Sequence, residues 1–145
     1  MDNGIPIFPA GVLKIYQNPN PPIIPDIDDF DYSKQGGGNP DSTQFSSENP
    51  NIVDSNGLDD LKVWFEECIK DYFDNVMTLA YKEFWIHESW INKSRPNSAQ
   101  SMHNHSNSLI SGVYYIESTA NHPPLLFEKV AYNADPFISL RKHYH

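Results

Sequence analysis

The spacing of the apolar residues changes near residue 82, and this change restricts the chain to folds that contain both helix and sheet. Between residues 58 and 80 the apolar side chains recur at intervals of three and four, as on one face of a helix. Asp59 and Asp60 fall in the first turn, where the helix dipole favours negative charge, and residues 54–56 precede it as candidate caps. We therefore predict one helix over residues 58–80. Its apolar stripe comprises Leu58, Leu61, Phe65, Cys68, Ile69, Tyr72, Val76 and Leu79.

From residue 83 onward the apolar residues follow a period of two, which is typical of strands. Aromatic and β-branched residues are frequent in this part of the chain, and both types favour sheet. A helix followed by antiparallel strands indicates an α+β fold, mainly β, whose sheet closes as a sandwich or barrel. The predicted strands are residues 83–92, 99–105, 109–116 and 125–129.

The first 57 residues contain most of the 12 prolines and 7 glycines. Such a composition favours turns and extended segments over helix. One short strand is expected within residues 5–15, and the remainder is expected to lie on the surface or to lack fixed structure. We therefore divide the chain into an N-terminal arm, residues 1–57, and a helix-plus-sheet domain, residues 58–145.

The charge of the chain argues against several classes of function. The net charge is −9, and we find no basic stripe that would neutralise nucleic-acid phosphates or attach to an anionic membrane. The chain has no apolar run long enough for a membrane span, and its first residues do not resemble a secretory signal. A single cysteine, Cys68, excludes an internal disulfide and a cysteine-cluster zinc site. We expect a cytoplasmic protein that binds neither nucleic acid nor membrane.

Two of the six histidines, His103 and His105, are separated by one residue within a predicted strand. Residues two apart on a strand point to the same side, so both imidazoles can converge on one point. Neutral imidazole is a common ligand of iron, copper and zinc. Polar residues surround the pair and can orient the rings through hydrogen bonds. The alternative is that both are ordinary surface or core histidines. The spacing alone does not distinguish this interpretation from metal binding.

The segment around these histidines resembles a family of Fe(II)- and 2-oxoglutarate-dependent oxygenases common in marine bacteria and their phages. The resemblance lies in residues 88–92 (ESWIN) and in residues 102–116 (MHNHSNSLISGVYYI). These segments match a pattern of the form W-x-N followed by H-x-H-x-x-S-x-x-S-G-V-Y-Y, and the resemblance extends over about residues 58–130. It implies a double-stranded β-helix, a cupin-like jelly roll that binds Fe(II) between its sheets.

The resemblance also implies which residues bind the cofactors. His103 and His105 are the candidate Fe(II) ligands, and Tyr114, Tyr115 and Asn92 are candidates for binding 2-oxoglutarate. In the family the first motif usually pairs a histidine with a carboxylate two residues later, a position that His105 occupies here. A second alignment, in which His105 is the first ligand and residue 107 stands in the carboxylate position, also lacks an acid. No residue is assigned a catalytic role beyond binding.

The family's later elements, an iron-binding histidine and a cation for 2-oxoglutarate, are expected after the end of this sequence. The late candidates within it are His122, His143, His145, Arg95, Lys129, Arg141 and Lys142. We therefore expect an incomplete jelly roll: a fragment, a degenerate member, or a chain completed by a second polypeptide or a homo-oligomer. The expected location is the cytoplasm of a bacterium or of a phage-infected host.

Three functions therefore remain open from the sequence. The first is an oxygenase that couples decarboxylation of 2-oxoglutarate to hydroxylation of an unknown substrate. The second is a non-catalytic jelly-roll module, such as a viral structural or assembly protein, in which the aromatic strands only pack. The third is a cupin-like metal protein that does not use 2-oxoglutarate.

Overall fold

The structure is a computed structural model that describes residues 5–8, 11–21, 27–34, 44–55, 57–96, 98, 103, 105, 107–117 and 124–127. The chain separates into two compact units, which we treat individually. The first unit is formed by Lys14–Ser101 with Met1–Gly4, and the second by Ile5–Leu13 with Met102–His145. No helix in the described part of the chain is both long and apolar enough to cross a membrane.

The predicted helix is confirmed, and it lies in the first unit. Helix α1 spans Asp59–Tyr72 and continues as a π-helical turn over Phe73–Met77. Thr78 then ends the helix in the left-handed conformation, with φ 49°. The N–H of Leu79 donates a hydrogen bond to the carbonyl of Phe73 at 2.9 Å and closes the last turn.

The wider π-helical turn explains where the predicted apolar stripe departs from the structure. Leu58 and Leu61 are buried as expected, at 2% and 5% exposure. Phe73, four residues after Ile69, is also buried, so it continues the same face although it was not assigned to the stripe. A turn with i to i+5 hydrogen bonding contains an extra residue, so the side chains that follow it shift around the helix axis. Leu79, assigned to the stripe, follows this turn, lies beyond the helix and is exposed.

The helix begins without the side-chain cap that the sequence suggested. Leu58 is the N-cap residue, and no side-chain cap bond occurs among the described residues, which leave out residue 56, one of the predicted caps. The carboxylate of Asp54 instead accepts a hydrogen bond from Nζ of Lys62 at 2.7 Å. The N–H of Leu58 donates to the carbonyl of Ser55 at 3.2 Å, so a backbone turn leads into the helix.

The strands form two small antiparallel sheets among the described residues. In the second unit β1 (Ile5–Phe8) pairs with β2 (Gly11–Leu13). In the first unit β3 (Tyr32–Lys34), β4 (Gln44–Ser47) and β5 (Asn92–Ser94) form a sheet in the order β3-β4-β5. One helix with this three-stranded sheet confirms an α+β fold. The packed sheets of a jelly roll do not occur in the described residues, and that part of the fold stays a prediction.

The first 57 residues contribute more to the sheets than their composition suggests. They supply both strands of the β1–β2 hairpin and two of the three strands of the larger sheet. Ser46 of β4 lies opposite Ser33 of β3 on one side and Asn92 of β5 on the other. Segments from both sides of the expected boundary at residue 57 therefore share one sheet.

The predicted strand over residues 83–92 is wrong for most of its length, because β5 begins only at Asn92. Ser89 instead bonds to a turn that precedes the helix. Its N–H donates to the carbonyl of Pro50 at 2.8 Å, and its carbonyl accepts from the N–H of Ile52 at 2.9 Å. Its Oγ accepts from the N–H of Val53 at 3.1 Å. These bonds hold residue 89 against the 3₁₀ turn Ile52–Asp54 and leave residues 83–88 outside any ladder.

The hydrophobic core of the first unit forms where this turn, the start of α1 and the residue before β5 meet. Its buried apolar side chains are Ile52, Val53, Leu58, Leu61 and Ile91. At the other end of the helix, the buried ring of Phe73 contacts Tyr81 and Phe84 edge to face, with centroids 5.2 and 5.5 Å away. The apolar residues that follow the helix thus pack as an aromatic cluster instead of alternating along a strand.

Candidate metal centre

The segment that contains the two candidate ligands is not part of a regular element. His103, His105 and residues 107–117 have neither helix nor strand assigned in the second unit. The strands predicted over 109–116 and 125–129 are therefore wrong for the described residues 109–116 and 124–127, and most of 99–105 lies outside the described residues. Leu109 and Val113 are 65% and 63% exposed. A β-prone segment forms a strand only when a second strand pairs with it, so β propensity alone does not produce one.

The two imidazoles nevertheless converge, as their spacing predicts. Nε2 of His103 lies 3.1 Å from Nε2 of His105. The ring centroids are 4.9 Å apart and the ring planes are inclined by 36°. Both side chains are exposed, so the pair is accessible from solvent.

This geometry fits two ligands of one transition-metal ion. Two nitrogens bound to one ion at about 2.0–2.1 Å lie about 2.9 Å apart at a right angle and about 3.4 Å apart at the tetrahedral angle. The observed 3.1 Å falls between these limits. The same distance also suits a hydrogen bond between the rings, in which one Nε2 is protonated and the other accepts. Metal binding requires that both Nε2 atoms be free of protons, so the two arrangements exclude each other.

The pair supplies two ligands, and the described residues do not complete the set. They contain no group of three histidine, cysteine, aspartate or glutamate side chains arranged to hold a metal. His122, His143, His145, Lys129, Arg141 and Lys142 lie outside the described residues. The third ligand and the late 2-oxoglutarate-binding cation therefore stay predictions.

Asn107, two residues after His105, has φ 62°, in the left-handed region. The choice between the two alignments of the motif, one beginning at His103 and the other at His105, stays a prediction.

The three candidate 2-oxoglutarate residues have different surroundings. Tyr114 is half-buried, and Tyr115 is 45% exposed. Asn92 lies in β5 of the first unit, where its Oδ1 accepts a hydrogen bond from Oγ of Ser46. Asn92 is therefore the first residue of a strand. Its role, like those of the two tyrosines, stays a prediction.

Arg95, a candidate cation from the sequence, lies in the first unit. Its guanidinium stacks on the ring of Phe45, 5.4 Å from the centroid. Nearby, Nζ of Lys93 lies 4.1 Å from the ring centroid of Tyr32 and forms an ion pair with Asp28. The side chains of Lys93, in β5, and of Arg95, just after it, thus contact aromatic rings of the same sheet.

A polar network on α1 was missed by the sequence analysis. The carboxylate of Asp71 accepts hydrogen bonds from Nζ of Lys14, from Oη of Tyr16 at 2.7 Å and from Nδ2 of Asn75 at 2.8 Å. These bonds lower the pKa of Asp71 from 3.8 to about 2, the Lys14 bond most. Burial, together with the bond to Asp71, raises the pKa of Tyr16. The i, i+4 spacing of Asp71 and Asn75 was visible in the sequence, whereas nothing marked Lys14 and Tyr16 as partners.

Cys68 lies near this network and is not activated as a nucleophile. Burial, together with the charges of Asp71 and Glu67, raises the pKa of its thiol from 9.0 to about 11. A thiol with such a pKa is protonated at neutral pH. Cys68 was expected to be a buried apolar residue of the helix, and the structure shows it half-buried there.

The family comparison bears on the segment that contains the histidine pair. Residues 88–142 match the model of the family described as "Putative 2OG-Fe(II) oxygenase". The match covers less than half of the chain and includes His103, His105, Asn92 and both tyrosines. No curated protein and no solved structure matches the chain. The match supports an oxygenase at the level of the family, and the name of that family implies Fe(II) and 2-oxoglutarate.

Proposed function

We propose that the chain contributes the Fe(II)-binding motif of a 2-oxoglutarate-dependent oxygenase. The observation that carries this proposal is the convergence of His103 and His105, at 3.1 Å between their Nε2 atoms, inside the segment that matches the oxygenase family. Two imidazoles held at ligand-to-ligand distance suit Fe(II), which binds nitrogen and oxygen donors. The two findings are independent, since one is local geometry and the other a comparison of sequences.

The reaction consumes 2-oxoglutarate, O₂ and a substrate C–H bond, and it releases succinate, CO₂ and the hydroxylated substrate. One oxygen atom of O₂ enters succinate and the other enters the new hydroxyl group. Bound Fe(II) supplies the redox chemistry of O₂ activation. Within this chain, His103 and His105 bind the ion through Nε2, which requires that each ring carry its remaining proton on Nδ1.

Tyr114 and Tyr115, in the same unit as the histidine pair, are the residues that we assign to 2-oxoglutarate. Tyrosine hydroxyls donate hydrogen bonds, and the carboxylates and keto oxygen of 2-oxoglutarate accept them. The remaining metal ligand and a cation for the distal carboxylate come from residues outside the described part of the chain or from a second polypeptide. The jelly-roll fold that such a site requires belongs to the same proposal.

The test is anaerobic titration of the full chain with Fe(II), followed by measurement of succinate formed from 2-oxoglutarate after O₂ is admitted. We expect Fe(II) binding at one site and succinate formation that depends on added Fe(II). His103→Ala removes one of two imidazoles and should lower succinate formation by more than about 100-fold. His87→Ala is the matched control, because His87 is also exposed but lies in the first unit.

A wild-type chain that binds no Fe(II) and forms no succinate above the protein-free blank contradicts the proposal. Equal loss of activity in the His103 and His87 variants also contradicts it, because the effect would then not be specific to the pair. Fe(II) binding with no turnover of 2-oxoglutarate would instead indicate the cupin-like metal protein.

A further inference from the structure

Residues 109–116 alternate in burial although no strand is assigned to them. Residues 110–115 contain no turn or bend, so this stretch runs without a sharp change of direction. Ile110, Tyr114 and Ile116 are half-buried, whereas the odd-numbered residues from 109 to 115 are exposed. A period of two in burial is that of an extended segment, with one side against the protein and the other toward solvent.

The exposed side of this stretch is largely apolar. Leu109 and Val113 are 65% and 63% exposed, and Tyr115 is 45% exposed. A Cβ added at Gly112 would have no atom within 4 Å apart from those of its chain neighbours, so the middle of the stretch is open there as well. Exposed apolar side chains that share one side are typical of surfaces that bind another protein.

The distribution of charge indicates which partner fits this surface. No Asp, Glu, Lys or Arg occurs between Arg95 and Glu117, the longest such run in a chain whose net charge is −9. Two copies of an acidic chain repel each other, and the repulsion is weakest where neither copy carries charge. A segment with high β propensity, no charge and no proline also pairs readily with an identical segment. Both arguments favour a second copy of this chain.

We propose that residues 109–116 form a β-strand by pairing with the same segment of a second copy. The backbone N–H and C=O groups of the two segments bond to each other, as in peptide recognition by strand addition. An antiparallel pair of identical strands has the two-fold symmetry of most dimers. One pair of short strands buries little area, so the dimer is weak and forms at micromolar or higher concentration. The inference goes beyond the proposed function and requires no metal.

The experiment is sedimentation velocity of the full chain in EDTA, at protein concentrations from about 5 to about 500 µM. We expect an equilibrium between monomer and dimer. Val113→Lys should weaken the dimer by about 10-fold or more, because it removes an apolar contact and introduces like charges in both copies. Trp85→Lys is the matched control, since Trp85 is 71% exposed, lies in the first unit and gives the same change in net charge. It should leave the dissociation constant nearly unchanged.

Hydrogen exchange provides the second measurement, because it locates the contact. The amides of residues 110–115 should exchange more slowly as the concentration of the wild type or of Trp85→Lys rises, and should not do so in Val113→Lys. Gly112→Val should tighten the dimer by roughly 3- to 10-fold, because valine favours strand and the space around residue 112 is open. Added salt should also tighten it, because salt screens the repulsion between two acidic chains.

Several outcomes would overturn the inference. A wild type that stays monomeric at the highest concentration does so, and so does a dimer in which residues 110–115 are not protected. Equal weakening by Val113→Lys and Trp85→Lys overturns it as well, because the contact would then lie elsewhere. A dimer that weakens with added salt also overturns it, since ion pairs would then hold the two copies together.

His103→Ala separates this inference from the proposed function. The variant should dimerise as the wild type does, because the pairing of residues 109–116 does not involve the imidazoles. A dimer without any succinate formation overturns the oxygenase and leaves the inference standing. Loss of the dimer in His103→Ala overturns the inference, because the histidine segment would then form the contact.

Discussion

The substitution Asp71→Asn tests the network that attaches residues 14–16 to helix α1. The carboxylate accepts from Nζ of Lys14, Oη of Tyr16 and Nδ2 of Asn75. The side chain of Lys14 is only 15% exposed, whereas that of Asp71 is 37% exposed. An asparagine keeps the shape and one acceptor but removes the negative charge, so it leaves a largely buried ammonium group without its counter-ion.

The magnitude follows from the pKa of Asp71, which is lowered from 3.8 to about 2. At about 1.4 kcal/mol per pKa unit this difference corresponds to about 2.5 kcal/mol, and exposure of the carboxylate to screening solvent reduces it to about 1 kcal/mol. Because the folded pKa lies below the unfolded one, the stabilisation is present above the unfolded pKa and disappears as the pH falls toward the folded value.

Urea denaturation of wild type and Asp71→Asn from about pH 7 down to about pH 3 measures this contribution. We expect the variant to be less stable by about 1 kcal/mol at neutral pH, with the difference shrinking as the wild-type carboxylate is protonated. Asp74→Asn, which affects an exposed ion pair with Lys70 on the same helix, is the control and should change stability little. A difference at Asp71 that is constant with pH, or absent at neutral pH, would refute this account.

Three further predictions concern the first unit, each checked by urea denaturation at neutral pH. Leu58→Ala should cost about 2–5 kcal/mol, because the side chain is 2% exposed and its removal leaves a cavity; a cost near zero would place Leu58 outside the core. Ser89→Ala should cost about 1–3 kcal/mol, since the buried N–H of Val53 loses the Oγ that accepts its hydrogen bond; Ser89→Thr, which keeps the hydroxyl, should cost less. Thr78→Gly should raise stability by about 1 kcal/mol, because glycine adopts the left-handed conformation without strain; a loss would show that the threonine side chain matters more than its backbone.

The elements that could be predicted are those stabilised by local contacts. The helix was found to within a few residues because its buried side chains recur along one segment, Leu58 and Leu61 among them. The strands could not be found in the same way, since each depends on a distant partner. β4 contains Gln44, Ser46 and Ser47, all buried, and its polar composition gives no strand pattern. Residues 109–116 have the opposite character, a strong β pattern in a segment to which no strand is assigned.

In the candidate site, too, the features that depend on local spacing could be predicted and the others could not. The sequence marks His103 and His105 as a pair through their spacing of two, and their Nε2 atoms lie 3.1 Å apart. The left-handed turn at Asn107 was not predictable, since asparagine is common in turns of every kind. The sequence pattern does not assign a third metal ligand to any one residue.

The order of strands in the larger sheet has a consequence for how the chain folds as it is made. β4 lies between β3, which precedes it closely, and β5, which begins roughly 45 residues later. At synthesis rates of about 5–20 residues per second, β4 leaves the ribosome some seconds before its second partner does. During that interval one edge of β4 is unpaired, and the backbone N–H and C=O groups on that edge bond to water until β5 arrives. The helix is translated between β4 and β5, so it can form before β5 is available to pair with β4.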